Sequence, residues 1–190
     1  SSPQLGRSPR NLILPTVGDT LKLTTGNQSR IYSIAFKDRA AILMGGHLAD
    51  GVYWFDDSTG QWVTSNYYQS SLPEYIDNLN RCRDVESFAG MTWDLIDNMS
   101  NYSVFRPDES PYEKGPVSLG NSFPHHLPIR PGEKYYSALK VSPFANEWSL
   151  SLAKLLIEKE ELGQDAIPDI LTIGLSANDY IGHHYGPYSL

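Results

Sequence analysis

A single cysteine, Cys82, stands in 190 residues, so no internal disulfide can form and no zinc-finger or CxxC spacing exists. Cys82 reads as a buried or inert thiol and leaves the compartment open. Positive charge is also short. Fifteen Lys and Arg face twenty-two Asp and Glu, a net charge of −7, which removes the basic balance that drives unspecific binding to a nucleic-acid polymer or an anionic membrane. Any phosphate must therefore be gripped locally. No apolar run approaches the roughly 18 residues of a membrane span, and residues 1–10 have neither the apolar stretch nor the cleavage site of a secretory signal. The chain reads as soluble. It has no internal repeat, no low-complexity segment and no G-x-S-x-G elbow, so Thr16, Ser29 and Ser33 lack the local setting that promotes a hydroxyl to nucleophile.

The residues present are those of a folded domain: the hydrophobic set makes up 40% and charged residues 19%, and the length suffices to bury a core without staples. An amphipathic turn is expected at Val17, Leu21 and Leu23, closed by Gly26. The β-branched and aromatic residues between Arg30 and Phe36 predict a strand, and Ala40 to Met44 a short helix ended by Gly45 and Gly46. Val52 to Phe55 and Trp62 to Thr64 read as a hairpin with a five-residue loop, and Pro73 as the start of a helix through about Arg81. Apolar residues recur at three and four from Pro143 to Leu162, with Gly163 as helix stop. The following run Ile170, Leu171, Ile173 and Leu175 suits a parallel strand buried on both faces. This helix-to-strand crossover places the chain in the α/β class, whose ligands sit beyond the carboxyl ends of the strands.

Between residues 84 and 142 no period is sustained, yet Phe88, Trp93, Tyr102, Phe105, Tyr112, Phe123, Tyr135 and Tyr136 fall there. Such a stretch reads as an ordered, irregular cap rather than a linker. The expected division is thus 1–83 for the first part of the core, 84–142 for the cap and 143–190 for a helix, strand and loop that complete the core.

Two constellations follow predicted strands. In Phe36-Lys37-Asp38-Arg39, an extended backbone would put Lys37 and Arg39 on one face about 7 Å apart, able to converge on one phosphoryl group. A helix would make them diverge. In Ser176-Ala177-Asn178-Asp179-Tyr180-Ile181-Gly182-His183-His184, Asp179 and His183 offer an oxygen and a nitrogen donor of the kind zinc accepts, with Gly182 letting the loop fold around one ion. His184 is a weaker third candidate. His125 and His126 are adjacent, so their rings are expected to point apart, and His47 reads as a helix-end residue. The tryptophans and tyrosines also admit a reading of another class, a non-catalytic carbohydrate-binding module.

At these residues the chain resembles the alkaline phosphatase superfamily, in particular bacterial alkaline phosphatases of the type I phosphodiesterase and nucleotide pyrophosphatase branch. The resemblance is carried by Pro15-Thr16-Val17-Gly18-Asp19, by Ser33 through His47, by Trp54-Phe55 with Trp62-Val63-Thr64-Ser65 and Tyr67-Tyr68, and by Leu175 through His183 with Gly186-Pro187. It continues through Phe123-Pro124-His125 and Ser142-Pro143-Phe144-Ala145-Asn146, and so covers nearly all of the chain. It implies an alkaline-phosphatase-like α/β sandwich with a largely parallel sheet, and a phosphate-ester hydrolase with two zinc ions about 4 Å apart and a Thr or Ser phosphoryl-enzyme intermediate. By the same resemblance Asp179 and His183 match two ligands of one zinc, and Lys37 and Arg39 the phosphate-binding pair of a monoesterase, with a phosphodiesterase as the rival. The family's order puts the nucleophile and the other ligands outside this stretch, which implies an internal, inactive fragment of a periplasmic or secreted enzyme acting on small phosphate esters.

Overall fold

The computed structural model describes residues 7–102, 108–116, 118–187 and 189. In chain order the elements are α1 (Val17–Thr24), β1 (Ile31–Ala35), α2 (Asp38–Gly45), β2 (Gly51–Asp56), β3 (Gln61–Val63), α3 (Glu74–Cys82), β4 (Thr92–Trp93) and α4 (Met99–Tyr102). Then come β5 (His125–His126), α5 (Glu133–Lys140), α6 (Phe144–Lys159), β6 (Ile170–Gly174) and α7 (Ala177–Tyr185). The chain divides into two compact units. The first comprises Ser1–Asp56, Gln61–Cys82 and Trp148–Leu175, the second Asp57–Gly60, Arg83–Glu147 and Ser176–Leu190.

The first unit is an α/β layer. Its sheet has the order β3-β2-β1-β6, with β1 parallel to both β2 and β6 and β3 antiparallel to β2. Every residue of β1 is buried, as a parallel strand with neighbours on both sides requires. Ala35 stands opposite Trp54 on one side and Gly174 on the other, so β1 and β6 end level with each other. Ala41 and Ile42 of α2 pack with Ala35, Val52 and Trp54, and the Ser33 hydroxyl donates to the Ala41 carbonyl at 2.7 Å. Gly45 permits this close approach, since a Cβ there would lie 2.6 Å from the Val52 side chain. Gly46 then ends the helix at φ +79°, a conformation that favours glycine. A second cluster is aromatic: Phe36 stacks on Phe55 at 4.4 Å, and Trp62 stacks on Trp148 at 6.4 Å.

Four details depart from the sequence expectations. Strand β6 is parallel as expected but half-buried along its whole length, because among the described residues it pairs with β1 alone and forms the sheet edge. Helix α1 is inverted: Val17 and Leu23 are 79% and 64% exposed, while Asp19 and Lys22 are buried. The cause is hydrogen bonding. Asp19 and Thr16 close a capping box, Asp19 Oδ1 accepts the backbone N–H groups of His47 and Leu48 at 2.8 and 2.7 Å, and Lys22 Nζ donates to the Ser29 carbonyl and to Asp50. The hairpin strands run to Asp56 and start at Gln61, so the loop has four residues rather than five. Cys82, the last residue of α3, is an exposed thiol.

The second unit contains residues 84–142. Strands β4 and β5 form a two-stranded antiparallel ribbon, and around it Trp93, Phe123, His125 and Tyr185 pack ring against ring with centroids 4.4 to 6.4 Å apart. Phe88 packs on Phe144 at 5.6 Å. Tyr135 and Tyr136 are buried, and Tyr135 donates to the Val85 carbonyl. Among the described residues of this stretch, ring packing accompanies the short elements β4, α4, β5 and α5. Tyr112 is exposed, and Phe105 lies outside the described residues.

Candidate functional site

Lys37 and Arg39 follow β1, but not as an extended pair. The chain enters α2 at Asp38. Lys37 is the half-buried residue that precedes the helix, with extended φ and ψ of −88° and 125°. Arg39 lies in the first turn and is exposed, with its backbone N–H held by Asp38 Oδ1 at 2.6 Å. The extended segment expected here therefore ends at Lys37, because Asp38 already starts the helix.

What the fold does assemble is a cleft of about 560 Å³ lined by Arg7, Arg10, Asp38, Arg39, Ile42 and Leu43, among other residues. Arg7 donates through Nε to Asp38 at 2.8 Å. The sequence reading missed Arg7 and Arg10; the available signal was two arginines flanking Ser8-Pro9 a little upstream of a strand that ends in two cations.

Asp179 and His183 occupy α7 rather than a loop. They stand four residues apart, and His183 Nε2 lies 3.7 Å from Asp179 Oδ2, with both side chains exposed. Helical periodicity creates this pairing. Gly182 sits in the helix interior with open space where a Cβ would be, so it does not fold the backbone around the pair. Tetrahedral donors bonded to a metal at about 2.0–2.1 Å stand roughly 3.4 Å from one another, close to the observed separation. The donor set fits one face of a zinc ion. Among the described residues no group of three or more His, Cys, Asp or Glu is gathered to hold a metal. His184 does not add to the pair: it lies about 100° further round the helix, and its Nδ1 meets the Lys114 carbonyl at 2.8 Å. Lys140 Nζ, 5.1 Å above the Tyr180 ring, packs against the same helix.

The remaining candidates have structural partners. Thr16 caps α1, and the Ser29 hydroxyl accepts from Thr25 at 2.9 Å. The Ser33 hydroxyl is engaged with Ala41. His47 Nε2 meets the Leu12 carbonyl at 3.0 Å. His125 and His126 do part company: His126 is exposed with Nδ1 3.0 Å from the Thr92 hydroxyl, while His125 is 2% exposed. Burial pushes the His125 imidazole below its ordinary value, against a bond to the Leu119 carbonyl that pulls the other way. Burial likewise pushes the Asp19 carboxyl up, but its bonds from Thr16, Leu48 and His47 outweigh that and hold it below the usual range. Trp54, Trp62 and Trp148 are all buried, so they offer no stacking platform for a sugar.

Comparison with known proteins settles the family. No protein-family model matches the chain. The alkaline phosphatase PhoV of Synechococcus elongatus is 38% identical over 186 residues, covering 96% of this chain and 33% of its own length. A calcium-transporting ATPase of Myroides odoratus is 36% identical over 189 residues, covering 97% and 34%. The alkaline phosphatase PafA of Elizabethkingia meningoseptica is 34% identical over 187 residues, covering 96% and 34%. A crystal structure of PafA superposes with a TM-score of 0.80 at 33% identity, over 96% of this chain and 35% of that one. The chain belongs to the alkaline phosphatase superfamily. Its α/β architecture with a mostly parallel sheet is the architecture of that match. The chain spans about a third of the length of these relatives. One further PafA structure, at the same TM-score, is of a variant with a threonine replaced by serine, an asparagine by alanine, and a lysine and an arginine two positions apart both by alanine.

Proposed function

We propose that this chain is the phosphate-gripping and partly metal-binding stretch of a zinc-dependent phosphate-ester hydrolase. The observation that carries the reading is the likeness to alkaline phosphatases over nearly the whole chain, in sequence and in fold. The position of Lys37 and Arg39 just beyond the carboxyl end of β1 supports it, since open α/β sheets bind ligands there. So does their spacing, which equals that of the lysine and arginine altered together in the PafA variant.

In this reading Arg39 holds two phosphoryl oxygens through its planar fork, and Lys37 adds a point charge. Two cations favour a monoester, whose terminal group keeps an extra free oxygen, over a diester, where a second substituent fills that space. Asp179 and His183 would hold zinc, which when bound supplies Lewis-acid stabilisation of charge on phosphoryl oxygens. The family's reaction is attack by a Thr or Ser hydroxyl on phosphorus, with the P–O bond to the alcohol breaking and water later releasing phosphate. The nucleophile and the remaining ligands belong outside this stretch, which alone is inactive. An enzyme of this kind acts on small phosphate esters in the periplasm or outside the cell. Among the described residues no helix is long and apolar enough to cross a membrane.

Binding titrations test the reading directly. Orthophosphate affinity should fall about tenfold or more in Arg39→Ala, as expected for loss of a charge-assisted bond, and in Lys37→Ala by a smaller factor. Unchanged affinity in Arg39→Ala would refute the phosphate grip. Zinc-dependent phosphate release by the 190-residue chain, abolished in Asp179→Ala, would refute the claim that the chemistry needs groups beyond it.

A further inference from the structure

Helix α7 carries Asp179 and His183 as exposed side chains, and His183 falls in its last turn. A helix ends with four backbone carbonyls that have no partner within it, and its last turn frays unless other groups take them up. Here the second unit supplies such groups. The Lys114 N–H donates to the His184 carbonyl at 2.8 Å, and the His184 ring returns a bond from Nδ1 to the Lys114 carbonyl, also at 2.8 Å. A carbonyl only accepts, so this bond places the ring proton on Nδ1. The Tyr185 hydroxyl donates to the Gly120 carbonyl at 2.9 Å. The segment that makes these bonds is itself fixed: the Asn121 amide accepts from the Gly115 N–H and donates to the Glu113 carbonyl, and Glu113 is buried. Gly115 lets the segment come close, since a Cβ there would lie 2.5 Å from the Tyr185 hydroxyl.

We propose that His184 is a positioning residue for the metal-binding helix: its two-way bond with Lys114 locks the last turn of α7 and so holds His183 in register with Asp179. This deepens the proposed function and rests on the reading that Asp179 and His183 hold zinc. The 3.7 Å between His183 Nε2 and Asp179 Oδ2 depends on both residues keeping helical backbone. Asp179 lies in the first turn of the helix and His183 in the last, so opening the last turn moves one donor and leaves the other. His184 acts from a side of the helix about 100° away. The two adjacent histidines thus have separate tasks: His183 offers a nitrogen to the ion, and His184 binds the backbone of residue 114.

The experiment is a zinc titration of the protein against a competing chelator, repeated with cobalt(II), whose visible absorption band reports the geometry of its donors. His184→Phe keeps a ring but loses the N–H, and should lower zinc affinity about three- to tenfold, the range for one lost hydrogen bond, with a changed cobalt band. His184→Asn places an amide N–H at the same remove from the backbone as Nδ1 and should recover most of the affinity and the band. His184→Gln, one carbon longer, should not. Tyr185→Phe should weaken zinc in the same direction by a smaller factor. His126→Phe, which removes an exposed imidazole bonded to Thr92, should change nothing. Unchanged affinity in His184→Phe overturns the proposal. So do equal losses in His184→Asn and His184→Phe, the result expected if His184 were itself a donor to the ion. Asp179→Ala separates the proposal from the zinc reading. If it leaves zinc binding intact, that reading fails and the role of His184 with it; if it weakens zinc while His184→Phe does not, only the role of His184 fails.

Discussion

After β1 and after β6 the backbone makes the same move. Each parallel strand ends, two residues intervene, and a helix begins, at Asp38 in one case and at Ala177 in the other. The residues that carry chemistry nevertheless fare differently. Lys37 and Arg39 are two apart, a spacing that an extended chain aligns and a helix turns by about 200°. Asp179 and His183 are four apart, a spacing that a helix aligns within one turn. The helix therefore creates the Asp179–His183 pair, while α2 begins between Lys37 and Arg39. Helix α2 also buries Ala41 and Ile42 in the core, whereas α7 leaves Asp179, Gly182 and His183 exposed.

The largest expected effect tests what holds the end of α2. Asp19 accepts N–H groups from Thr16, His47 and Leu48 while nearly fully buried, so Asp19→Ala should cost about 3 kcal/mol in chemical denaturation. The pH dependence has a definite sign. The folded pKa of Asp19 lies below the ordinary 3.8, so its contribution is complete above that value and is lost as pH falls through the lower folded one. A denaturation midpoint that stays flat through that acid range would contradict this account of the inverted helix α1.

The next effect separates the two spacings. Asp179→Ala should lower zinc affinity roughly tenfold, the scale of losing one charged donor. Moving the carboxylate to a two-residue spacing, in the double variant Asp179→Ala with Ile181→Asp, should give no recovery, because position 181 faces away from His183. Recovery in the double variant would show that α7 opens into a loop on binding metal.

A smaller change concerns the glycine in α7. Gly182 lies in the helix interior with room for a Cβ, so Gly182→Ala should stabilise the protein by about 0.5–1 kcal/mol and leave zinc affinity unchanged. Loss of zinc binding would mean that the backbone at 182 must bend after all.

The smallest effect is a slope. His125 packs 5.2 Å from the Tyr185 ring at the end of α7, and its pKa lies below the ordinary 6.5 because of burial. The unfolded chain therefore takes up protons first on acidification. Stability supplied by the neutral ring is present above pH 6.5 and is lost as pH falls through the folded value. His125→Phe should flatten the melting temperature between pH 7 and 5 relative to the parent.

Much of the architecture was legible because it rests on local patterns. The β-branched run at Ile31 to Ala35 and the three-and-four recurrence around Leu152 and Leu156 each specify one conformation and one buried side. Glycine punctuation at Gly45-Gly46 marked a real helix end. Helix α1 defied its pattern, because Asp19 and Lys22 find partners twenty-eight residues away, at His47 and Asp50. Hydropathy cannot register a partner so distant in the chain.

By itself, then, the amino-acid order determined the α/β class, the run of elements and the residue types available after β1 and β6, since propensity and periodicity act over a few neighbours. Tertiary structure alone decided that β6 is half-buried, that α1 turns its polar side inward, that Arg7 and Arg10 meet Arg39 in one cleft, and that His125 is enclosed by aromatic rings. Each of those outcomes depends on which distant groups supply a hydrogen bond, a counter-charge or a covering surface, and only the folded chain brings those groups together.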